Sequence, residues 1–569
     1  MMKEIFNINT IAISLTRVMA VLLILAVFSC KKGEIIGEDP YAGGKQALGI
    51  KFDNVMPDPE LAIQGSEVKI FVRGLKKFEN KFKLYVNEIE ATVVSFTDST
   101  AVIKVPDNAS TGGLSVYAEN QTFFGPVLKI DGRVSIDATF SSNGATFRGS
   151  SGGISSATIY DIATLPNGNS FLVGSFNNFD NRWTEKIPNG GIAQISSTGA
   201  YVVPAADAID FGKGANGPLR SIIRLTSGPH NGKYIVSGLF SSYNSTRSNR
   251  LNINGITRLN ANGTLDSTMI DVINPTPNEV RKNRDTIPSF NGGVDGTIVK
   301  SFVFGDRLYA VGNFQNYVRR FYERSTYDTK VLDLIKMRQM VCLKINQTNS
   351  ADEGDLDLNF HYDPLTKQSP IGANGAINDA IQLPNGKLVL VGAFTTFNGV
   401  PANRIVCINL DGSVDQTFSV GNGADQEIVG VTYNAVTNKI LVSGLFRKMA
   451  GADRQGVAML DANGSLTTAF NFGTLTEGVA TYAGQLNGGK VIVSGTFKTY
   501  NGVIRQGFMI LNSDGSLAAG YNNTGQFTGA IEKIVETTSG ATTRVTLIGT
   551  IIRFDSTSFK GILRILIRN

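Results

Sequence analysis

The sequence predicts an all-β protein, an immunoglobulin-like sandwich followed by a seven-bladed β-propeller. Glycine is abundant and proline scarce, with 62 and 17 of 569 residues, which is typical of many tight turns between short strands. Apolar residues make up 42% and charged residues only 18%, so the chain is not disordered. A Gly-x-Phe unit recurs through the second part of the chain at a base period slightly above 50 residues, which indicates a repeat architecture.

Composition excludes several classes of function. The formal charge of +6 is spread over 53 basic and 47 acidic residues, so we expect no nucleic-acid partner and no polybasic membrane surface. The two histidines, His230 and His361, lie far apart in the sequence. We therefore expect no multi-histidine metal site and no cofactor, and any enzyme chemistry would fall to carboxylates.

The N-terminus has the pattern of a lipoprotein signal. Val18–Phe28 is an unbroken apolar run of 11 residues that ends at Ser29-Cys30. It is too short for a membrane span, which needs about 20 residues, but it fits the apolar region of a signal peptide. The four residues from Val27 to Cys30 resemble a bacterial lipobox, which implies cleavage after residue 29 and lipidation of Cys30. An ordinary signal peptide with an incidental cysteine is the alternative.

Residues 30–45 follow as a predicted flexible tether, rich in glycine and without apolar periodicity. Glu34, Glu38 and Asp39 resemble the acidic surface-export signals of Bacteroidetes lipoproteins. The lipobox resemblance implies that residues 1–29 are removed and that acyl chains hold the protein on the membrane, and the export-signal resemblance implies an outer-membrane position facing the cell exterior.

Residues 46–130 contain short alternating strands separated by Gly and Asn turns, the pattern of an Ig-like sandwich. The strands are read at 68–72, 83–86, 92–94, 102–105 and 114–117. The segment resembles an IPT/TIG domain, of the DUF5008-like kind, at Pro57, Gly65-Ser66, Gly74, Val86-Asn87, Ala91, Val105-Pro106 and Gly112-Gly113. The resemblance implies a spacer, and direct ligand binding is the alternative.

The remainder, 131–569, is built from seven copies of one unit. Its Gly-x-Phe glycines are Gly174, Gly238, Gly312, Gly392, Gly444 and Gly495, with a degenerate seventh copy at Gly549. Their spacings of 64, 74, 80, 52, 51 and 54 show that the early copies carry insertions. Several short strands per unit at such a period predict a propeller.

The clearest unit lies in blade four. Strands are predicted at 377–383, 388–394 and 404–410, with a short fourth at 415–418, and Asn-Gly or Asp-Gly pairs form the hairpin turns. The glycine of Gly-x-Phe is expected to allow close backbone approach and the phenylalanine to pack between blades. These residues resemble the DUF5122, or delta-60, β-propeller repeat over 134–569. Departures occur at Met269, Thr467, Gly520-Tyr521 and Ile551.

The two ends of the propeller segment each hold part of one blade. The chain finishes on a third-strand sequence, 562–567, whereas a fourth-strand sequence, 135–140, stands alone at the start. We therefore predict that 135–140 completes the last blade and closes the ring, which leaves no open edge strand. Cys342 and Cys407 fall at equivalent third-strand positions and are predicted to be core fillers.

Candidate binding residues lie in the insertions, because insertions in repeat proteins often form the binding face. They combine aromatic rings with arginines, which suit sugar rings or peptides, and are Trp183, Arg319, Arg320, Phe321, Tyr322 and Tyr327. The alternative is that these loops pack on each other or on a partner protein. An acidic run from Asp352 to Asp357 lacks the spacing of a calcium loop, so no metal site is expected there.

Two functions remain open. A tether, a TIG-like spacer and a propeller resemble noncatalytic surface lipoproteins that accompany SusC/SusD-like, TonB-dependent uptake complexes, which implies a glycan or peptide ligand. The alternative is a propeller enzyme, a glycoside hydrolase or lyase, that works through carboxylates at the axial pocket. Spacing alone nominates no carboxylate pair, so no catalytic residue is assigned.

Overall fold

A computed structural model describes residues 47–79, 81–149, 151–182, 190–203, 211–244, 253–347 and 353–568. The chain divides into two units at Lys51, and everything below concerns the second unit, Phe52–Asn569. The described residues contain no α-helix, and short 3-10 turns occur at Lys76–Phe78, Val280–Asn283 and Tyr322–Arg324. The fold class is all-β, as predicted from the sequence.

The first part of this unit is a sandwich of seven strands. Its strands occur in the order Leu61–Ile63, Gln121–Asp131, Gly112–Ala118, Phe82–Val86, Ile89–Phe96, Ala101–Lys104 and Glu67–Ile70. The strand Ile89–Phe96 joins the two layers, because its first three residues pair with Phe82–Val86 and the rest, from Thr92 on, pairs with Ala101–Lys104. Alternate side chains such as Leu84, Val86 and Val116 fill the space between the layers and are buried.

Seven blades follow, as predicted. Each has an inner, a second and a third antiparallel strand. Blades 1 to 4 comprise Thr158–Thr164, Ser170–Ser175 and Ile192–Ile195; Leu219–Arg224, Tyr234–Gly238 and Ile256–Leu259; Thr297–Phe304, Arg307–Asn313 and Met340–Lys344; Ile377–Gln382, Leu388–Gly392 and Ile405–Ile408. Blades 5 to 7 comprise Ile428–Asn434, Lys439–Gly444 and Val457–Asp461; Ala480–Gln485, Val491–Gly495 and Phe508–Leu511; Phe527–Ser539, Thr542–Phe554 and Ile562–Arg568.

The predicted fourth strand is shorter than expected in blades 1 to 6, where it is a single β-bridge such as Ile408–Val414. In blade 7 the fourth strand is Val134–Ile136, which pairs with Ile562–Arg568. The predicted closure of the ring by the two ends of the propeller segment is therefore confirmed. Additional short strands lie in the insertions, at Ala145–Arg148, Ile154–Ser156, Asn178–Phe179, Ser267–Asp271, Arg284–Pro288, Gly293–Val294, Asn316–Phe321 and Val331–Lys336.

Seven hydrophobic clusters hold the blades together, one between each adjacent pair. The cluster between blades 4 and 5, for example, combines Val389 and Val391 with Phe446. The phenylalanines of all six Gly-x-Phe units are buried in this way, and Ile551 takes the same place in blade 7. Their predicted packing between blades is confirmed.

The Gly-x-Phe glycine lies on the second strand, against a backbone carbonyl group at the start of the inner strand. A Cβ atom on Gly392 would lie well under 3.0 Å from the carbonyl oxygen of Ala376, and the other six units show the same conflict. Blade packing therefore requires glycine here for steric reasons, since the φ of Gly392 is not in the left-handed region.

The closing aspartate of the repeat ties the outer edge of a blade to its second strand. Asp415 accepts a hydrogen bond from Lys387 Nζ at 2.8 Å and caps the turn through the backbone N–H of Thr417 at 3.0 Å. In blade 5, where Thr467 replaces this aspartate, the lysine at the equivalent position, Lys439, pairs with Asp461 instead. The departure at Thr467 is thus compensated within its own blade.

The sandwich docks on the propeller beside blades 6 and 7. Asn523 is the centre of this contact, with Nδ2 donating to the carbonyls of Ile130 at 3.1 Å and Val134 at 2.9 Å. The backbone N–H of Thr111 donates to the carbonyl of Asn523 at 2.9 Å. The propeller residues involved belong to the loops at which inner strands begin, so the sandwich lies on the face opposite the hairpin turns.

Candidate functional site: the axial cavity

Each inner strand carries a β-bulge at the same position. In blade 4 the pairing shifts between Ile377 and Asp379, and the other six blades repeat this shift. The extra residue re-aims the next side chain toward the propeller axis. The ring formed by these seven positions, here called the axial ring, is Asp161, Ser221, Lys300, Asp379, Gly430, Tyr482 and Lys533.

A cavity of about 760 Å³ extends from the axial ring to the hairpin turns of the inner strands. Six of the seven ring residues line it, with glycine the exception. Its volume falls within the range of small-molecule sites, about 300–1,000 Å³. Because the sandwich occupies the opposite face, the mouth of this cavity points away from the sandwich.

Asp161 links three blades through both carboxylate oxygens. Oδ1 accepts a hydrogen bond from Lys533 Nζ of blade 7 at 2.6 Å, and Oδ2 accepts one from the backbone N–H of Ile222 of blade 2 at 3.0 Å. Burial alone would raise the pKa of Asp161, but the ammonium groups of Lys533 and Lys300 outweigh it and hold the pKa below its usual range. The carboxylate is therefore ionised and fully engaged.

Asp379 repeats this arrangement on the other side of the ring. Its Oδ1 accepts from the backbone N–H of Ala380 at 2.9 Å, and its Oδ2 accepts from that of Val431 in blade 5 at 3.1 Å. The nearest cation is Lys300, whose Nζ lies 3.7 Å from Oδ1, beyond hydrogen-bond distance. Both aspartates thus staple neighbouring inner strands together.

Two charged groups of the cavity wall differ from these aspartates. Neither the Lys300 ammonium nor the Glu532 carboxyl makes a hydrogen bond to any residue that the structure describes. Burial raises the pKa of Glu532, with a further rise from Asp379 and an opposing effect from Lys300. For Lys300, burial lowers the pKa, but Asp379, Asp161 and Glu532 reverse this, so the net shift is upward. Lys300 is a cation with unused donors, and Glu532 is a carboxyl with unused acceptors.

The rest of the wall is polar at the rim and aromatic in part. Tyr482 is buried in the ring, and burial raises the pKa of its phenol above the usual range. At the rim, Tyr433 is half-buried and donates to Asn438 Oδ1 at 2.7 Å, and Glu536 accepts from the backbone N–H of Asn487 at 2.7 Å. The arrangement can hold a small polar molecule between hydrogen-bonding groups on several sides.

The residues predicted as a binding group lie elsewhere. Asn316–Phe321 and Val331–Lys336 form an antiparallel hairpin in the blade 3 insertion, which brings Arg319, Arg320, Phe321 and Tyr322 onto one strand and the turn after it. Arg319 pairs with Asp355 at 2.5 Å.

Within this group, Arg320 and Tyr322 are buried. Burial lowers the pKa of Arg320 and raises that of Tyr322 to about 12. Phe321 and Tyr327 are half-buried, and a binding role for the group stays a prediction.

Two other predicted positions, Cys30 and Trp183, lie outside the described residues, as do the predicted signal peptide and tether. Cys342 and Cys407 are buried in third strands, and burial raises both thiol pKa values to about 12, in keeping with core fillers. Among the described residues, no three His, Cys, Asp or Glu side chains are grouped as metal ligands would be.

The described residues of the acidic run and the two histidines are held by ion pairs, hydrogen bonds or core packing. Glu353 is fully buried and accepts from Arg258 Nη1 at 2.6 Å and lies 2.9 Å from His230 Nε2. Asp357 is the closing aspartate of blade 3, paired with Arg307 at 2.7 Å. His361 is buried beside Phe360 and Phe397.

Sequence reasoning missed the axial ring, although a signal for it exists. Buried residues in the inner strands are separated by three positions, as with Ile377 and Ala380, rather than by the two of a regular strand. That break in periodicity recurs in all seven units and indicates a β-bulge. The residue just before the second buried position, Asp379 in blade 4, is the one that faces the axis. Aligning the units on it would have collected the ring residues.

Two family models match parts of the chain. Residues 26–126 match DUF5008, a domain of unknown function, and residues 231–268, 383–418 and 489–517 match the DUF5122 beta-propeller, also a domain of unknown function. No curated protein matches the chain significantly. No helix among the described residues is long and apolar enough to cross a membrane.

Several solved structures are distantly similar. A computationally designed protein, Ika8, is 9% identical, with 75% of this chain and 100% of that chain covered and a TM-score of 0.35. An auxiliary nutrient binding protein from Bacteroides thetaiotaomicron is 10% identical, with coverages of 72% and 99% and a TM-score of 0.20. Rhamnogalacturonan lyase YesW is 10% identical, with coverages of 90% and 89% and a TM-score of 0.29. These likenesses are too distant to indicate what this chain binds.

Proposed function

We propose that this chain, which carries a DUF5008 region and DUF5122 propeller repeats, is a noncatalytic, ligand-binding lipoprotein of the outer-membrane surface. In this proposal it serves a SusC/SusD-like, TonB-dependent complex that takes up a glycan or a peptide. The observation that carries the binding role is the axial cavity of about 760 Å³ with its polar ring.

The state of the ring carboxylates favours binding over catalysis. A nucleophile or general base needs a lone pair that faces the reacting atom. Both oxygens of Asp161 and of Asp379 already accept hydrogen bonds from backbone N–H groups or lysine. These bonds suit the two groups to fixing the shape of the cavity, and they occupy part of the acceptor capacity that an attacking group would use.

The docking of the sandwich supports a surface role. An acyl anchor on Cys30 would precede the sandwich in the chain, and the sandwich contacts the propeller on the face opposite the cavity mouth. An anchored molecule would therefore present the cavity away from the sandwich side. This is the orientation that an accessory binding protein needs in order to meet ligands outside the membrane.

The transporter partnership is tested by capture from membranes. The acylated protein, tagged at its C-terminus and expressed in a Bacteroidetes host, should bring down a TonB-dependent porin in stoichiometric amount. The Cys30→Ser variant is the control, and it should lose both membrane attachment and the porin. Recovery of the wild-type protein in membranes without any transporter would contradict the proposal.

A propeller enzyme is the second candidate, and Glu532 is the observation that favours it. A carboxyl whose pKa is raised by burial is a suitable general acid, and the ionised Asp161 lies in the same ring. Release of reducing ends or unsaturated products from surface glycans by the purified chain would establish this alternative. Loss of that turnover in Glu532→Gln, with the fold intact, would assign the acid.

A further inference from the structure

The charges around the axial ring balance, and this restricts the ligand. The cavity is lined by three cations, Arg224, Lys300 and Lys533, with Arg220 close behind them. Four carboxyl groups face them, those of Asp161, Asp379, Glu532 and Glu536, so four cations meet four carboxyl groups. The guanidinium of Arg220 stacks over Tyr160 at 4.4 Å, just beyond the ring. A ligand with a net charge would leave an uncompensated charge among these half-buried groups, which is unfavourable.

Within this balanced set, only Lys300 and Glu532 of the cavity wall lack hydrogen bonds to described residues, as set out above. An ammonium offers three donors and no acceptor, and a carboxyl offers acceptors. Both side chains are half-buried in the cavity wall, so a ligand that gives each of them a hydrogen-bond partner gains affinity. A hydroxyl group both donates and accepts, so adjacent hydroxyls match this pair of opposite character.

The other residues of the cavity wall also suit a ligand with several hydroxyl groups. Hydrogen-bonding side chains surround the cavity on several sides, as with Ser221, Thr432 and Gln485, while Phe302 and Ile381 supply apolar wall. A sugar carries hydroxyls around its whole circumference and C–H groups on its faces. An extended peptide carries its backbone polar groups on two opposite edges only, so it would meet fewer of these partners.

We propose that the axial cavity binds a neutral saccharide and that Lys300 and Glu532 recognise two of its hydroxyl groups. This inference rests on the proposed binding function and narrows its ligand from glycan or peptide to an uncharged glycan. Lys300 and Glu532 are then specificity-determining residues, whereas Asp161 and Asp379 position the strands around them.

The test is direct binding by the full mature chain. An array of neutral, uronate-containing and sulfated oligosaccharides, together with tripeptides, is screened, and hits are measured by titration calorimetry. Neutral saccharides should bind, and Lys300→Met and Glu532→Ala should each weaken binding about tenfold or more, because a hydrogen bond to a charged group is lost. Lys439→Met removes an ammonium of similar exposure that does not line the cavity and pairs with Asp461 of the third strand, and it should leave affinity unchanged.

Each other outcome overturns the inference. Binding of uronates or tripeptides in place of neutral sugars, no binding of any probe, or equal affinity in all three variants would each do so. Melting temperatures confirm that the variants are folded, and if Lys300→Met fails to fold, Glu532→Ala decides alone. The proposed accessory function is judged separately by capture of the transporter, which does not depend on which probe binds.

Discussion

Val134 lies directly opposite Ile567 in an antiparallel strand pair, although the two residues are at opposite ends of the propeller segment. The pair continues through Ser135 with Leu566 and Ile136 with Ile565. Because the last blade borrows its fourth strand from the start of the segment, the ring closes by strand pairing and leaves no free edge there.

A disulfide across this closure should form and stabilise the protein. Opposed residues in an antiparallel pair have Cα atoms about 4.5–5.5 Å apart, within the range of disulfides. Ser135→Cys combined with Leu566→Cys should therefore oxidise within one chain and raise the free energy of unfolding by about 2–4 kcal/mol, since the enclosed loop is long. The measurement is denaturant unfolding with and without reductant. Each single-cysteine variant is the control, and two thiols that stay free under oxidising conditions would contradict the pairing.

Replacing a Gly-x-Phe glycine should be costly. In Gly392→Ala the new methyl group would collide with the carbonyl oxygen of Ala376, so we expect a loss of about 1–3 kcal/mol from the strain of overpacking. Gly488→Ala is the matched control, because a Cβ there meets nothing within 4 Å and its φ is not left-handed. Thermal melts of the two variants check this, and equal stability would show that the glycine is dispensable.

Much of the architecture could be predicted from the sequence because the same strand and turn pattern occurs in seven repeat units. The Asn-Gly turns, the Gly-x-Phe strands and the orphan fourth strand at 135–140 each follow from local chemistry. The sequence also predicted a short fourth strand in each blade, whereas in blades 1 to 6 the fourth strand is a single bridge. The closing aspartate explains this, because Asp415 caps its own turn and pairs with Lys387, which replaces ladder hydrogen bonds.

The candidate site was far less predictable. The predicted binding group was chosen for aromatic and arginine content in an insertion, but Arg320 and Tyr322 are buried there. The axial residues come from seven distant segments, and a bulge decides which side chain faces the axis. In a strand without a bulge, Lys300 and Asp379 would alternate to other faces, so period-two reasoning cannot select them.

The contact between sandwich and propeller should depend on one buried amide. Asn523→Ala removes a hydrogen bond to Ile130 of the sandwich and one to Val134 of blade 7, where the two domains join, each contributing about 1 kcal/mol, and should loosen the sandwich. Faster proteolysis at residues 131–134 and a larger radius in small-angle scattering would report this. Lys498→Met is the control, because its pair with Glu88 at 2.9 Å is exposed and contributes little. Equal cleavage of both variants would mean that Asn523 does not hold the interface.

His361 should make stability fall in mild acid. Burial lowers its pKa to about 4, so between pH 6.5 and 4 the unfolded chain binds a proton that the folded chain does not. Lowering the pH through this window therefore favours unfolding, by up to about 1.4 kcal/mol per pH unit. His361→Asn keeps a residue that tolerates the local φ of +51° and should remove this part of the pH dependence. The comparison is unfolding free energy at pH 7, 6 and 5, and parallel curves for the two proteins would contradict it.

Asp161 should stabilise the ring at neutral pH and lose that effect in strong acid. Asp161→Asn removes the charge that pairs with Lys533 and an acceptor for the N–H of Ile222, so we expect a loss of about 1.5–3 kcal/mol. Because the folded-state pKa of Asp161 lies below its usual value, its contribution is complete above the unfolded-state pKa, near 4. It disappears as the pH falls through the lower folded-state pKa.

Wild type and the Asp161→Asn variant should therefore converge in stability as the pH falls through the lowered folded-state pKa of this carboxyl. Asp453→Asn, in an exposed pair with Lys448 at 4.0 Å, is the control and should change little. Lys533→Met should cost less in the Asp161→Asn background than alone, because the two side chains share one interaction. Additive losses in that double variant, measured by denaturant unfolding at pH 7, would show that Lys533 and Asp161 act independently.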